Sequence, residues 1–233
     1  MIWGVFSFHW RGWRRFAYDF SVIQFGFLLF GLSIDMTVQA NLGLSSWDVL
    51  HMALTYHLPI TLGESSIGVA TLVVLVDVIL REPLGWGTLA NMIFIGVWVD
   101  VLRPYVPRIP VILWLQVAYV LLAVLVMGFA TAIYVGVDAG AGPRDSLMLA
   151  ISRARKTSLR WSRTVIEVTV VIVGWLLGGP LWFGTVICAI AIGPAVQLAF
   201  RVLKVRPHTS SLKTAGISTR PSSHEGPSGH ARH

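Results

Sequence analysis

Two short segments carry the residues whose types and spacing point most clearly to chemistry. Residues 41–50 read NLGLSSWDVL, and residues 138–147 read DAGAGPRDSL. In each segment a glycine is followed five positions later by an aspartate. If irregular chain leads into a short helix here, the free backbone amides at the helix start would suit an anionic ligand. The candidate substrate-binding residues are Asp48, Asp145, Trp47, Arg144, Gly43 and Gly140.

A purely structural interpretation of the same residues is also available. Aspartate caps helix starts well, and glycine allows the tight turn that precedes them. Asp48 and Asp145 would then stabilise two short helices without touching a ligand. The two roles are compatible in one protein.

The composition indicates the kind of chain that must position these segments. Of 233 residues, 55% are hydrophobic and only 12% are charged, and the mean hydropathy is +0.71. Soluble domains carry about 25% charged residues. This composition excludes an ordinary cytosolic enzyme and a disordered chain, and it predicts an all-α membrane protein with several spans. The single cysteine, Cys188, excludes an intramolecular disulfide and a cysteine metal site.

Six apolar runs are candidates for membrane-spanning helices. They are Phe20–Ala40, Ser65–Leu80, Leu84–Leu102, Val111–Val137, Arg163–Gly178 and Leu181–Leu203. Two shorter apolar patches lie between them, at Trp47–Leu58 and Ser146–Ile151. A span needs roughly 20 residues, so each patch is either a surface helix or a re-entrant half-helix.

The lysines and arginines predict the orientation of the chain. Counted by alternate loops, 16 fall on one side and 2 on the other. Because cytoplasmic loops carry the excess of positive charge, both termini are expected in the cytoplasm, with the protein in the inner (plasma) membrane. Topology thus explains the net charge of +7, and no nucleic-acid partner is expected.

The two ends of the chain differ from the apolar part. Residues 1–19 mix aromatic and basic side chains, as expected where a cytoplasmic segment enters the lipid headgroups. Residues 207–233 are rich in Ser, Gly, Pro and His, which predicts a disordered cytoplasmic tail.

A shift of 97 residues aligns the chain with itself. Without a gap, 21 of the 73 positions from Leu28 to Asp100 are identical to their counterparts, including glycines, a proline and an aspartate. The repeats, residues 20–103 and 111–203, hold three spans each, so the second must enter the membrane from the opposite side. The predicted fold is therefore two inverted three-helix repeats, each with a short broken or re-entrant helix after its first span.

The two motifs resemble those of the bacterial YczE/YitT-type membrane proteins. So do Gly178–Gly179–Pro180, Gly184–Thr185 and Ile192–Gly193–Pro194 in the second repeat. The resemblance covers about residues 20–205. YitT-like members often add a soluble C-terminal domain, whereas this chain has only the tail, so we expect it to be nearer to the YczE side. The resemblance implies an integral membrane protein and assigns no molecular activity.

Three acids inside the predicted spans are further candidates. A charge at the centre of a bilayer costs at least about 2.5–3.5 kcal/mol on insertion scales, so such residues usually face water or the bundle interior. Asp35 and Asp77 lie within apolar runs, and each is either a proton or cation site or a buried hydrogen-bonded group. Glu167 lies four residues after Arg163, a spacing that also suits a simple helical ion pair.

These features favour a permease for a small molecule or ion. The alternative is a scaffold or regulatory membrane protein with a transporter-derived fold. No catalytic motif, cofactor site or metal site is recognisable, so we do not expect an enzyme. The small-xxx-small pair of Gly174 and Gly178 favours packing within the bundle over a dimer contact, although a homo-oligomer stays open.

Overall fold

The computed structural model describes residues 12–205 apart from Asp138 and Ala141. Over these residues the chain forms eight α-helices and no β-strand. The predicted tail and the first 11 residues lie outside the described part of the chain. The helices are α1 (Trp13–Ala40), α2 (Ser46–His57), α3 (Leu62–Ile79), α4 (Trp86–Leu102), α5 (Leu113–Gly136), α6 (Pro143–Arg155), α7 (Leu159–Leu176) and α8 (Phe183–Val202).

Four of these helices, α1, α3, α5 and α8, are long and apolar enough to cross a membrane. Helix α4 is also apolar but is shorter, with 17 residues, and α7 carries three charged residues, Arg160, Arg163 and Glu167. Large apolar side chains such as Trp114 and Ile190 are more than two-thirds exposed. Such an outer surface is suited to lipid, and together with the helix content it identifies an all-α membrane protein.

Two helices begin earlier than the apolar runs predict. Helix α1 begins at Trp13 rather than Phe20, because basic residues at a helix start do not interrupt the backbone hydrogen bonds. The patch at Ser146–Ile151 is the middle of α6, which begins at Pro143. Proline at the first helical position has the backbone angle that a helix needs and loses no hydrogen bond there.

Capping residues extend two other helices by about one turn beyond the predicted runs. At the start of α3, the Thr61 hydroxyl accepts a hydrogen bond from the Glu64 backbone N–H at 3.0 Å. The Glu64 carboxylate accepts one in return from the Thr61 backbone N–H at 2.8 Å. At the start of α7, the Ser158 hydroxyl accepts from the Trp161 backbone N–H at 3.3 Å. A polar cap can therefore start a helix before its apolar face begins.

The helices pack in pairs around a central contact between α1 and α5. Helix α4 packs on α1, and α8 packs on α5. The short helix α2 packs against α7, while the short helix α6 packs against α3. Each short helix thus contacts a long helix from the other half of the chain.

The spacing of 97 residues recurs in the helix starts and in the backbone contacts. Helices α2, α3 and α4 begin 97 residues before α6, α7 and α8 respectively. The Gly87 N–H donates to the Ala139 carbonyl at 2.9 Å, and the Gly184 N–H donates to the Leu42 carbonyl at 2.7 Å. Gly184 is the repeat counterpart of Gly87, and Leu42 is the counterpart of Ala139. The two hydrogen bonds are therefore the same contact with the halves of the chain exchanged. The chain entering each short helix is therefore held by the start of a long helix from the other half.

The far ends of the short helices are also attached. At the end of α2, the His57 Nε2 atom lies 2.9 Å from the carbonyl oxygen of Leu177. Near the end of α6, the Arg153 guanidinium donates to the carboxylate of Glu82, which is buried in the loop between α3 and α4. Each short helix is therefore held near both of its ends.

Candidate functional site

A cavity of about 360 Å³ lies between the starts of α2 and α6. Residues from the long helices α1, α3, α4, α5, α7 and α8 complete its wall. The wall is partly apolar, and its polar side chains are Ser45, Ser46, Ser66, Asn91, Thr131, Tyr134, Arg144, Asp145, Arg163, Glu167 and Gln197. We refer to this space as the central cavity.

A glycine with a left-handed backbone conformation precedes each short helix. Gly43 has φ +115° and Gly140 has φ +122°, a region that side-chain-bearing residues rarely adopt. A Cβ on Gly43 would lie 2.9 Å from the Thr185 hydroxyl, and one on Gly140 would lie 2.8 Å from the Cα of Gly85. Neither glycine lines the cavity. Both positions need glycine for the turn and for a close approach to the other half of the chain.

Arg144 and Trp47 meet at the wall of the cavity. The guanidinium carbon of Arg144 lies 4.8 Å from the centre of the Trp47 ring, within the range of a cation–π contact. The two residues occupy corresponding places in the repeat, 97 positions apart. Their contact joins the first turns of α2 and α6, and the cavity lies beside it.

The carboxylates of Asp145 and Glu167 both reach the cavity but differ in their partners. Glu167 accepts a hydrogen bond from the Arg163 Nε atom at 2.9 Å, so the helical ion pair suggested by the sequence is present. No ion pair or side-chain hydrogen bond joins Asp145 to another described residue. The cavity wall therefore holds the ion pair of Arg163 and Glu167. It also holds Arg144 and Asp145, which make no ion pair within 4.0 Å among the described residues.

Asp48 does not share the environment of Asp145, although the repeat makes them equivalent. Asp48 is fully buried and lies outside the cavity wall. It accepts a hydrogen bond from the Ser45 hydroxyl, and its second oxygen lies 3.4 Å from His51 Nδ1. Glycine and methionine occupy the corresponding places around Asp145, at 142 and 148, and neither can bind a carboxylate through its side chain. Of the two repeated aspartates, Asp145 faces the cavity and Asp48 does not.

Asp35 and Asp77 lie away from the cavity. Both are fully buried, and their carboxylate oxygens have no hydrogen-bond partner among the described residues. Asp35 is in α1 and Asp77 is near the end of α3. The structure thus brings Trp47, Arg144, Asp145 and Glu167 together and leaves Asp48, Asp35 and Asp77 outside the group.

Several polar residues of the cavity were not among the candidates from the sequence. Ser66, Tyr134 and Asn91 come from three different long helices and meet only in the folded chain. Asn91 stands inside an apolar span, which was a usable signal because polar side chains there are costly. Tyr134 gave no such signal, since tyrosine is common near span ends. Its ring packs against Phe27, with the centroids 5.7 Å apart.

Comparisons with known proteins agree with the helical membrane fold. The family described as "Family of unknown function (DUF6198)" matches residues 17–201. The uncharacterized membrane protein YczE of Bacillus subtilis (strain 168) is 30% identical over 202 residues, covering 85% of this chain and 94% of the relative. An uncharacterized protein of Haemophilus influenzae (strain ATCC 51907 / DSM 11121 / KW20 / Rd) is 32% identical over 200 residues, covering 84% and 89%. No solved structure matches the chain significantly.

Proposed function

The chain belongs to the YczE-like family DUF6198, and we propose that this membrane protein is a permease that binds a small solute in the central cavity. The observation that carries the proposal is the position of the cavity. It lies where the first turns of two short helices meet, and each short helix comes from a different half of the chain. Secondary transporters commonly bind their substrates between the halves of an internal repeat, near interrupted helices.

The proposal includes six spans, formed by all helices except α2 and α6. Helix α4 has 17 residues, which is at the short end of the usual range of about 17–25. Two of the three charges in α7, Arg163 and Glu167, line the cavity and are paired with each other, which lowers their cost in a membrane. The charge distribution favours cytoplasmic termini in the plasma membrane and supports an inverted arrangement of the two halves.

The reciprocal packing supports the same organisation. Each short helix packs on a long helix of the other half, and the hydrogen bonds of Gly87 and Gly184 are repeated with the halves exchanged. One departure from this symmetry bears on transport: α3 packs along α4, whereas α7 and α8 both line the cavity and have little mutual contact. A looser pair of helices is a suitable place for the cavity to open.

An uptake assay tests the proposal. The full-length protein is reconstituted in liposomes and exposed to labelled organic anions, amino acids, sugars and inorganic cations, with protein-free liposomes as the control. We expect uptake of one class to exceed the control several-fold and to saturate with concentration. If a natively folded protein moves none of these classes, the permease is contradicted and the scaffold or regulatory role takes its place.

A further inference from the structure

We infer that the central cavity recognises a small organic anion, a carboxylate on an apolar body, and that Arg144 neutralises its charge. The inference rests on the proposed function because it takes the central cavity as the solute site. It goes further by naming the class of solute and the residue that selects it.

Arg144 makes no direct ion pair with a described residue, although the carboxylates of Asp48, Asp145 and Glu167 act on its charge from a greater distance. Its guanidinium has the Trp47 ring on one side and no carboxylate within the 4.0 Å of an ion pair among the residues that the structure describes. Arg163, by contrast, is already paired with Glu167. A guanidinium keeps its proton in a protein, and the N–H donors of Arg144 are not used by a described carboxylate, so they are available to an anionic solute.

Asp145 differs from Arg144 because its charge can be removed. A carboxylate can become neutral by binding a proton, whereas a guanidinium has no neutral form available. The cavity wall holds two arginines and two acids, Arg163 and Glu167 being paired, so it becomes net positive when Asp145 binds a proton. In that protonated state an anionic solute restores neutrality, while a cationic solute would add a further positive charge beside Arg144.

Buried hydroxyl groups provide a second, independent indication. Ser66 and Tyr134 line the cavity and are 6% and 9% exposed. Neither hydroxyl makes a hydrogen bond to another described residue. Both side chains line the cavity, and a hydroxyl is a suitable donor to a carboxylate oxygen. The cavity thus offers a charged donor and two neutral donors from three different helices.

The rest of the wall determines the body of the solute. Phe30, Ile95, Met127 and Ile192 contribute apolar surface to the cavity. Its volume of about 360 Å³ is at the lower end of the roughly 300–1,000 Å³ typical of ligand sites. A small solute with one charged end and an apolar body uses both parts of this wall.

Thermal unfolding of the full-length protein in detergent tests the inference with three probes of matched size. Benzoate carries the carboxylate, benzamide is its neutral analogue, and benzylamine carries a positive charge. We expect Tm to rise with benzoate concentration and to be unchanged by the other two. Inorganic phosphate is the fourth probe, and a rise as large as that with benzoate would contradict the apolar part of the inference.

Two variants locate the effect. Arg144→Gln removes the charge and should abolish the rise in Tm with benzoate. Arg160→Gln removes an exposed arginine of α7 that does not line the cavity, and it should keep the rise. If Arg144→Gln does not fold, Arg144→Lys keeps the charge and should keep a weaker rise. A full rise in a folded Arg144→Gln protein would overturn the inference, as would equal rises with benzoate and benzamide.

The outcome can be separated from that of the proposed function. Benzoate binding that depends on Arg144, without uptake of any solute, would support the anion site and contradict the permease. Saturable uptake of a cation or sugar that is unchanged in Arg144→Gln would support the permease and contradict the anion site.

Discussion

Arg144 and Trp47 occupy corresponding positions of an internal repeat and contact each other, with the guanidinium 4.8 Å from the ring centre. Corresponding residues of two halves related by a two-fold axis can touch only close to that axis. In the inverted arrangement that we propose, their contact would mark the axis on which the halves meet. A binding site beside it can be reached by groups from both halves.

Replacement of the two repeated aspartates by asparagine should have opposite consequences. We predict that Asp145→Asn gives a folded but inactive protein, because Asp145 faces the cavity without a structural partner. Asp48→Asn should retain uptake, because Asp48 lies outside the cavity and asparagine still caps a helix. Uptake rate and Tm of both variants check this prediction. Full activity of Asp145→Asn would leave only a capping role for that residue.

Removal of the Asp48 side chain should affect stability. In Asp48→Ala the half-buried Ser45 hydroxyl loses its acceptor, which costs up to about 1–3 kcal/mol. For a chain of this size, each kcal/mol lowers Tm by about 2–4 °C. The measurement is thermal unfolding in detergent, with Asp145→Ala as the matched variant. A larger loss of Tm in Asp145→Ala than in Asp48→Ala would contradict the different roles that we assign to them.

The turns before the short helices should tolerate no side chain. Gly43→Ala would combine a strained φ with a Cβ 2.9 Å from the Thr185 hydroxyl, so we expect a loss of at least about 1–3 kcal/mol. Gly178→Ala has a positive φ of 84° but open space around the Cβ, and Gly68→Ala has open space and no positive φ. Tm should therefore fall most for Gly43→Ala, less for Gly178→Ala and least for Gly68→Ala. An equal fall in all three would show that neither strain nor close approach matters.

The buried Glu82 should make stability depend on pH. Burial raises the pKa of Glu82 above its ordinary value of 4.5, and the neighbouring Arg153 guanidinium opposes the rise. The folded protein then holds this proton more tightly than the unfolded chain does. The free energy of unfolding should therefore fall as the pH rises from 4.5 through the folded pKa, and Glu82→Gln should remove that fall.

Arg153 provides the matched test of this ion pair. Arg153→Gln removes the opposing charge, so the pKa of Glu82 should rise further and the fall in stability should extend to higher pH. Arg155→Gln, at an exposed residue of the same helix, should leave the pH profile unchanged. Thermal unfolding across the acidic and neutral range records all three profiles. A Glu82→Gln protein with the slope of the wild type would show that another group controls it.

The ends of the two short helices should lie on opposite sides of the membrane. Leu58, after α2, and Arg155, at the end of α6, are both exposed. In a Cys188→Ser background, Leu58→Cys should react with a membrane-impermeant maleimide added to intact cells. Arg155→Cys should react only after the membrane is opened. Labelling of both cysteines from the same side would contradict the inverted repeat.

The sequence was sufficient to predict the helical class and the approximate positions of the long helices. Apolar runs predicted these helices because lipid contact requires them. The helix starts were less predictable, since Ser158 and Thr61 begin α7 and α3 through polar hydrogen bonds that hydropathy ignores. Of the spans, the structure identifies four by length and composition, and the six-span arrangement stays a prediction.

The repeat alone could not distinguish Asp48 from Asp145. The difference comes from their neighbours, because Ser45 and His51 bind Asp48 while the corresponding residues of α6 cannot. That difference could be predicted from the sequence once the helix start was known. The positions of Ser66, Asn91 and Tyr134 around one cavity could not be predicted from the sequence, because they depend on how α3, α4 and α5 are arranged in space.

The most direct test of the central cavity as the solute site is uptake by two leucine variants. Gly193 lines the cavity with open space where its Cβ would lie, so Gly193→Leu should fill part of the cavity without disturbing the fold. Gly68→Leu is the control. It adds the same side chain at a position of α3 that is likewise exposed and has open space, but that does not line the cavity. We predict uptake at least ten-fold slower in Gly193→Leu at unchanged Tm, and normal uptake in Gly68→Leu. Uptake at the wild-type rate in a folded Gly193→Leu protein would contradict the account.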